Sequence, residues 1–489
     1  MNLKNEKEIS AHWINGKWII SGKQGKSINP ANGMPIGDYF EAGENEANMA
    51  IAAAKDAFEN SSWKHDRALR ARVLNAMAAN FGKYEDELIY LLGLENGKVK
   101  KHAKFEVKIV PECLRFNAAL ALTEAGRAAS VEANNISILL HEPVGVAGII
   151  APWNSPAALV IRSLAPALAA GTTVVAMLPR QTAQINHLIA KIISETPELP
   201  DGVVNIITGG HVAGAILVES EQVPVISFTG STETGKNIAA VGAKNLKRLG
   251  LELGGKTPVI VCHDADIELL IPKVIAALTV FSGQFCMTGS RLLLQDTIAD
   301  AVLAALIPRL KALNVSPAAN SDSDMGPLID KSNVERVNAL VEDAIKNGAV
   351  PLLRGGIVHE VPLSAGAFYL PTVLEVNDNK MPIVQQEIFG PVLTVQRFSS
   401  DNEAVALAND NPYGLAASVW SQHIDRPLQI ARALQCGTVW INDWATLYDQ
   451  FEEGGYKMSG LGRMRGIAVI EDFLEAKHIV MTPGRSPQG

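Results

Sequence analysis

Through the middle of the chain, short runs of β-branched and aliphatic residues alternate with stretches whose apolar positions recur at helical spacing. The runs at 144–151, 173–177, 203–207, 225–229 and 247–252 read as strands, and 185–194 and 213–219 read as helices between them. Such alternation predicts a parallel sheet with helices on both faces, a scaffold that takes ligands beyond the carboxyl ends of its strands. After Gly254 the pattern starts again. A strand at 257–261, a long helix before Cys286 and further units to about Asn442 predict a second α/β unit.

Nearer the amino terminus, Ala47, Ala50, Ile51, Ala54 and Phe58 fall at helical spacing. Two more amphipathic helices are expected at 67–84 and 85–94, the second stopping at Asn96-Gly97. From 136 to 150 the chain turns β-like; Ile136, Ile138 and Leu140 ahead of Pro143 indicate, on pattern alone, an edge strand. The longest apolar stretch, 157–178, is interrupted by Arg162 and Pro166, so it is expected to be a buried core segment rather than a membrane span.

Composition narrows the class. A chain of 489 residues exceeds one ordinary core, and 47% hydrophobic with 19% charged residues describes a folded, soluble protein. The net charge of −8 argues against a nucleic-acid backbone or an anionic membrane as partner. The four cysteines, at 113, 262, 286 and 436, form neither a metal-ligand spacing nor a disulfide framework. With a charged amino terminus that lacks an apolar signal core, they point to a reducing, cytoplasmic location and to no bound metal.

The candidate chemistry centres on Phe281-Ser282-Gly283-Gln284-Phe285-Cys286-Met287-Thr288, a cysteine among small and flexible neighbours. A lone cysteine is by default a small apolar residue. As a nucleophile it needs polar help, since a free thiol, with a pKa of about 8.5, is mostly protonated at neutral pH. Glu252, at the end of an apolar strand before Gly254-Gly255, and Asn154, in Pro152-Trp153-Asn154-Ser155-Pro156, would complete a set for acyl chemistry. Taken singly, the first is a strand-end surface glutamate and the second a turn asparagine. No GxGxxG is present. Instead Phe228-Thr229-Gly230-Ser231-Thr232-Glu233-Thr234-Gly235 carries a strand through a GxxxxG turn into a helix, where backbone N–H groups and the helix dipole suit a pyrophosphate.

Asn154, Glu252 and Cys286, in this order and spacing and followed by Glu387-Ile388-Phe389-Gly390-Pro391, make the chain resemble the aldehyde dehydrogenase superfamily over essentially its whole length. The resemblance implies an α/β fold with a Rossmann-type dinucleotide-binding domain at 1–123 and 143–253 and a catalytic domain at 254–452. A small β arm at 124–142 and 470–489 would join subunits into a homodimer or homotetramer. It implies NAD(P)-dependent oxidation of an aldehyde to the acid through a thiohemiacetal and a thioester on Cys286. Asn154 and the Cys286 N–H would receive the oxyanion, and Glu252 would activate water, as in the hydrolytic rather than the CoA-acylating type. Gly230, Ser231, Gly235, Trp153, Leu253, Glu387 and Phe389 would hold NAD or NADP.

Departures from the family pattern carry further expectations. Met177 and Arg180 stand where the adenosine ribose is usually held by a lysine and a glutamate, and Arg180 makes a 2′-phosphate, hence NADP, plausible. Ser163 and Met464 replace both ends of a lysine–glutamate proton relay, so proton release is expected through water or the cofactor channel. In the substrate tunnel Ser155 and Arg162 replace aromatic residues, and Glu452-Glu453 stands before Gly454-Gly455. Arg162 either anchors an anionic or polar substrate end, as of a carboxylate-bearing semialdehyde, or pairs internally with Asp443 or Glu453. Phe285 and Leu447 are further candidate substrate residues, and Trp440, Trp444, Tyr448 and Phe451 either stack on an aromatic aldehyde or pack. A cysteine-dependent esterase or thioesterase and a non-catalytic cofactor-binding homologue are the alternatives. The first normally uses a histidine, and none lies near Cys286 in sequence.

Overall fold

The computed structural model describes residues 9–123, 126–132 and 135–482; the expectations for 1–8, for parts of the arm at 124–125 and 133–134, and for the tail 483–489 lie outside these described residues. Two largely parallel sheets form the frame. In the first, Val146–Ile150, Thr173–Pro179, Val204–Gly209, Val225–Thr229 and Arg248–Glu252 run parallel. Their spatial order is third, second, first, fourth, fifth in the chain, flanked by the hairpin His12–Ile14 and Lys17–Ile19 on one side and by Gly460–Leu461 on the other. The order therefore reverses between Val146–Ile150 and Val225–Thr229, and a crevice opens past Ile150 and Thr229. Apolar clusters cover both faces, which is why these strands read as continuous apolar runs rather than alternating ones.

The second sheet places Thr257–Val261 beside Gly289–Gln295, followed outward by Val392–Phe398, Thr372–Glu375 and the antiparallel Val350–Leu353. On its other side lie Ala416–Trp420 and Thr438–Ile441. Only Leu253-Gly254-Gly255-Lys256 separates the last parallel strand of one sheet from the first of the other.

The strands and helices expected between 144 and 261 are all present, each end within two residues of its expected position. Two features differ from expectation. The helix Lys100–Thr123, with Pro111 inside it, was not foreseen, because its polar, basic first turns hide the apolar positions Ala103, Val107, Val110 and Leu114. The segment 157–178 is buried as expected, as a helix, Pro156–Ala170, followed by a strand. Asn135–Pro143 is not an edge strand: it is the middle of three antiparallel strands, between Arg127–Glu132 and Leu474–Met481. Among the described residues, no helix is long and apolar enough to cross a membrane.

The unforeseen helix matters because it carries Glu106. This buried carboxylate pairs with the equally buried Lys98 and accepts hydrogen bonds from the N–H groups of Ala157 (2.9 Å) and Ala158 (3.3 Å), capping the helix Pro156–Ala170. Lys98 Nζ in turn lies 3.7 Å from the centre of the Phe281 ring, and His102 Nδ1 accepts from the Phe281 N–H. One buried ion pair thus links the start of one helix to the turn before Cys286. Removing one partner strands the other charge, so Glu106→Gln is expected to cost about 3–5 kcal/mol. Adding Lys98→Met should recover much of that loss. Urea-unfolding midpoints check both, and an unchanged midpoint for the single variant would contradict the role given to this pair.

Candidate active site

Cys286 follows the helix Ile267–Thr279, which Asp266 caps, through a turn in which Phe281, Ser282 and Gly283 all adopt left-handed backbone with φ of 49°, 59° and 75°. Two non-glycine residues in that region mark a strained, over-determined turn. A Cβ at Gly283 would come within 2.3 Å of the Gly390 carbonyl carbon, so only glycine fits. Gln284 braces the turn: its Nε2 donates to Phe281 O (2.9 Å) and its Oε1 accepts from the Ile329 N–H (2.9 Å). From the crevice of the first sheet, Asn154 Nδ2 donates to Gln284 O at 2.9 Å. The amide and the thiol, far apart in sequence, therefore meet.

The thiol is partly open and borders two cavities. One is a tunnel of about 720 Å³ that includes Ser155, Phe285, Leu447, Tyr448, Arg162 and Glu453; the other is a cleft of about 320 Å³ past the strand ends Ile150 and Thr229. Cys286 and Leu159 line both. Burial pushes the thiol up to about 12, and the charge that most opposes this is Arg162.

Glu252 ends its strand in full burial, with Oε1 lacking any hydrogen-bond partner. Burial raises its pKa to about 8, opposed chiefly by Arg162. The space around this carboxylate is not made by the glycines beside it in sequence. A Cβ on Gly254 would meet Glu387 Oε2 at 2.6 Å and one on Gly255 would meet Cys286 O at 2.3 Å, whereas Gly454, at φ 155°, is the residue whose Cβ would press on Glu252 Oε1 at 3.0 Å. Gly454 has no sequence signal apart from a conformation that only the fold reveals.

The cleft gathers Trp153, Asn154, Gly230, Ser231, Leu253, Glu387 and Phe389, and adds Arg336, which sequence reasoning missed. Trp153 and Phe389 meet edge to face at 5.4 Å. Ser231 caps the helix Thr232–Gly242 by accepting from the Thr234 N–H, leaving other first-turn N–H groups at the mouth of the cleft. Glu387 accepts from the Gly255 N–H at 3.1 Å, and burial lifts its pKa to about 7. A helix N-terminus, two aromatic rings and an inward carboxylate suit a dinucleotide.

Three residues expected at the cofactor do not line this cleft. A Cβ on Gly235 would strike Leu253 at 2.4 Å, so this glycine lets the helix close on the strand. Met177 is buried in the core against Gly209 and Gly214. Arg180 opens onto a separate cavity of about 700 Å³, where its Nη1 lies 3.4 Å from Glu41 Oε2.

In the tunnel, Arg162 pairs internally. Its Nη1 donates to Glu453 Oε1 at 2.7 Å and its Nη2 to Thr229 Oγ1 at 3.0 Å. Arg465 approaches the same Glu453 oxygen at 3.2 Å and pairs with Asp449; neither Arg465 nor Asp449 was foreseen. Asp443 does not reach Arg162, because Lys273 and Thr446 engage it. Trp444 is not a tunnel wall either: it sits behind Phe285, its ring centre 6.1 Å away, and donates to Met287 O. Trp440 is likewise buried, donating to Thr446 O, and Phe451 is 70% exposed outside the tunnel. Ser163 Oγ accepts from Ser227 Oγ at 2.9 Å, while Met464 pairs only through its backbone with Glu453.

Comparison with known proteins agrees with this geometry. The model of the aldehyde dehydrogenase family matches residues 18–479. The chain is 38% identical to a betaine aldehyde dehydrogenase of Bacillus subtilis over 96% of both chains, and 36% identical to human mitochondrial aldehyde dehydrogenase over 96% of this chain and 91% of that protein. A crystal structure of Staphylococcus aureus betaine aldehyde dehydrogenase in complex with NAD+ superposes with a TM-score of 0.95 at 34% identity, covering 98% of this chain and 96% of that one. An NAD-dependent aldehyde dehydrogenase from Sinorhizobium meliloti gives a TM-score of 0.94 at 33% identity, over 99% and 96% of the two chains. The family match over residues 18–479 and these relatives, together with a thiol at the meeting of a tunnel and a cleft on this frame, place the chain in the aldehyde dehydrogenase family.

Proposed function

We propose that the protein oxidises an aldehyde to its carboxylic acid with a nicotinamide dinucleotide, by hydrolysis of a thioester formed on Cys286. The observation that carries this reading is that Cys286 alone, apart from Leu159, lines both the tunnel and the cleft. An aldehyde enters from the tunnel side, and Cys286 Sγ adds to its carbon. The oxyanion of the resulting thiohemiacetal is received by the Cys286 N–H and by Asn154, whose amide spends one N–H on Gln284 O and keeps a second to donate. Trp153, Gly230, Ser231, Leu253, Glu387 and Phe389 would hold a nicotinamide dinucleotide, which would supply the acceptor for the hydride that leaves the thiohemiacetal carbon as the thioester forms. Glu252 then deprotonates the water that hydrolyses the thioester, and its unpartnered oxygen and pKa near neutrality suit a general base.

We read 1–123 with 143–253 as the dinucleotide unit and 254–452 as the catalytic unit. The three-stranded arm, with Val131, Ile479, Val480 and Met481 exposed, is read as the surface that joins subunits of a homodimer or homotetramer in the cytoplasm. An esterase reading gains nothing from the site, because His102, the histidine nearest the Cys286 turn by its contacts, is held by burial at a pKa of about 3 and accepts from a backbone N–H.

For the cofactor, the cavity around Arg180 also holds Glu41, Glu44, Glu46 and Lys23, so carboxylates outnumber cations where a 2′-phosphate would have to sit. This supports NAD over NADP. NAD+ is expected to give the higher kcat/KM, and Glu41→Gln to raise the NADP+ value several-fold; initial rates with both cofactors check this, and an NADP+ preference in the unaltered protein would reverse the reading.

Glu252→Gln is expected to lower kcat by about 10²–10⁴, with an acyl adduct on Cys286 visible by mass spectrometry. Because burial raises the Glu252 pKa to about 8, its basic form grows as pH rises through that value. Thioester hydrolysis should therefore accelerate between pH 7 and 9, and a flat profile in single-turnover measurements would count against Glu252 as the base.

With no titratable group at Ser163 or Met464, the proton leaves through water. Ser163→Ala should leave thioester hydrolysis within about twofold of the unaltered rate, well inside the range of a lost general base, and abolition of hydrolysis by that change alone would refute this exit.

A further inference from the structure

The tunnel cluster of Arg162, Glu453, Arg465 and Asp449 is closed in charge but open in hydrogen bonding. Two guanidiniums face two carboxylates, and Glu453 sits between the arginines with its Oε1 on both. Burial pushes the Glu453 carboxyl up, but Arg465 and Arg162 more than offset that and hold it below the usual carboxylate range. The other charged residues on the tunnel wall continue the balance: Glu112 and Arg115 are opposite in sign, and Glu106 is met by Lys98. Within the cluster, an anionic substrate end would therefore find no unmatched cation.

Alongside Arg465 Nε, which makes no hydrogen bond either, the cluster leaves Glu453 Oε2, a buried acceptor, and Arg162 Nε, a buried donor, without a partner. Both residues are at least nine-tenths buried and line the tunnel that Cys286 also lines. A buried polar atom left without a partner is costly, and a site built to bond a hydroxyl discriminates strongly in favour of it. Phe116, Phe285 and Tyr448 form the apolar part of the same wall and suit a flat, apolar body.

We infer that Glu453 is a specificity residue that converts Arg162 from an anion anchor into half of an internal pair, so that the tunnel selects an uncharged aldehyde carrying a hydroxyl donor at its far end. The inference rests on the aldehyde-oxidising reading above. The hydroxyl would donate to Glu453 Oε2, while a carboxylate at the same place would face that oxygen and be repelled.

The test is a series on one skeleton: benzaldehyde, 4-hydroxybenzaldehyde, 4-methoxybenzaldehyde and 4-carboxybenzaldehyde, followed by nicotinamide reduction in the full-length protein. The hydroxy compound is expected to exceed each of the other three in kcat/KM by at least about tenfold, the methoxy compound failing because it accepts but cannot donate. Glu453→Gln should cut the hydroxy compound's advantage and raise kcat/KM for the carboxy compound about tenfold or more, as Arg162 and Arg465 lose their shared counter-charge. Binding of the same compounds to Cys286→Ala protein without cofactor, by calorimetry, should follow the same order.

Equal or better turnover of the carboxy or methoxy compound in the unaltered protein overturns the inference, and that arm stands even where the Glu453 variant does not fold. A folded Glu453→Gln protein with an unchanged ratio overturns it as well. Failure to oxidise any aldehyde, with acetaldehyde included, would instead overturn the aldehyde-oxidising reading itself.

Discussion

The hydrogen bond from Asn154 to the carbonyl of Gln284 is the point on which the site depends, because it ties the crevice of one sheet to the nucleophile turn of the other. Neither end is free to move. Asn154 leaves the first strand of a sheet whose order reverses beside it, and Gln284 is held by bonds to Phe281 and Ile329 within a left-handed turn. The buried Lys98–Glu106 pair supports both ends, capping the helix after Asn154 and seating the ring of Phe281. Strain in the turn is thus tolerated because several independent contacts fix the same geometry.

Around that fixed point the electrostatics run against charge. Burial raises Cys286, Glu252 and Glu387, each of which is easier to keep neutral than ionised in the absence of ligands. Arg162 is the largest opposing influence on both the thiol and the Glu252 carboxyl, and it is itself restrained by Glu453. Burial thus works against ionisation of nucleophile and base alike, which discourages adventitious reaction of the thiol.

Much of this was legible in the sequence, and the parts that were not share a cause. The parallel strands between 144 and 261 were readable because burial on both faces leaves unbroken apolar runs. Cys286, Glu252 and Asn154 were readable because motif and order single them out. What escaped notice were relations between distant side chains. The capping of one helix by Glu106, the clearance that Gly454 gives Glu252 and the arrival of Arg465 at Glu453 depend on chain segments brought together only by the tertiary fold. Trp444 was misplaced for a related reason. An aromatic next to a tunnel loop looks like a wall, yet the indole N–H finds its partner at Met287 O, behind Phe285, where a buried tryptophan can be satisfied.

The departures from the family pattern in the tunnel, read one by one, look unrelated: an arginine where an aromatic is usual, a glutamate pair before two glycines, a methionine in place of an acid. In the structure the first two are a single change. A buried guanidinium without a counter-ion would be strongly destabilising at position 162, and so would a buried carboxylate at 453; together, with Arg465 and Asp449 completing the set, they are neutral. Neutrality also explains why the cluster can stand beside a thiol and a general base without fixing either as an anion. A residue on a helix of the first sheet's cover and one on a loop that returns to that sheet's edge at Gly460–Leu461 are therefore coupled, and the charge of Arg162 is tolerated in the tunnel because Glu453 faces it.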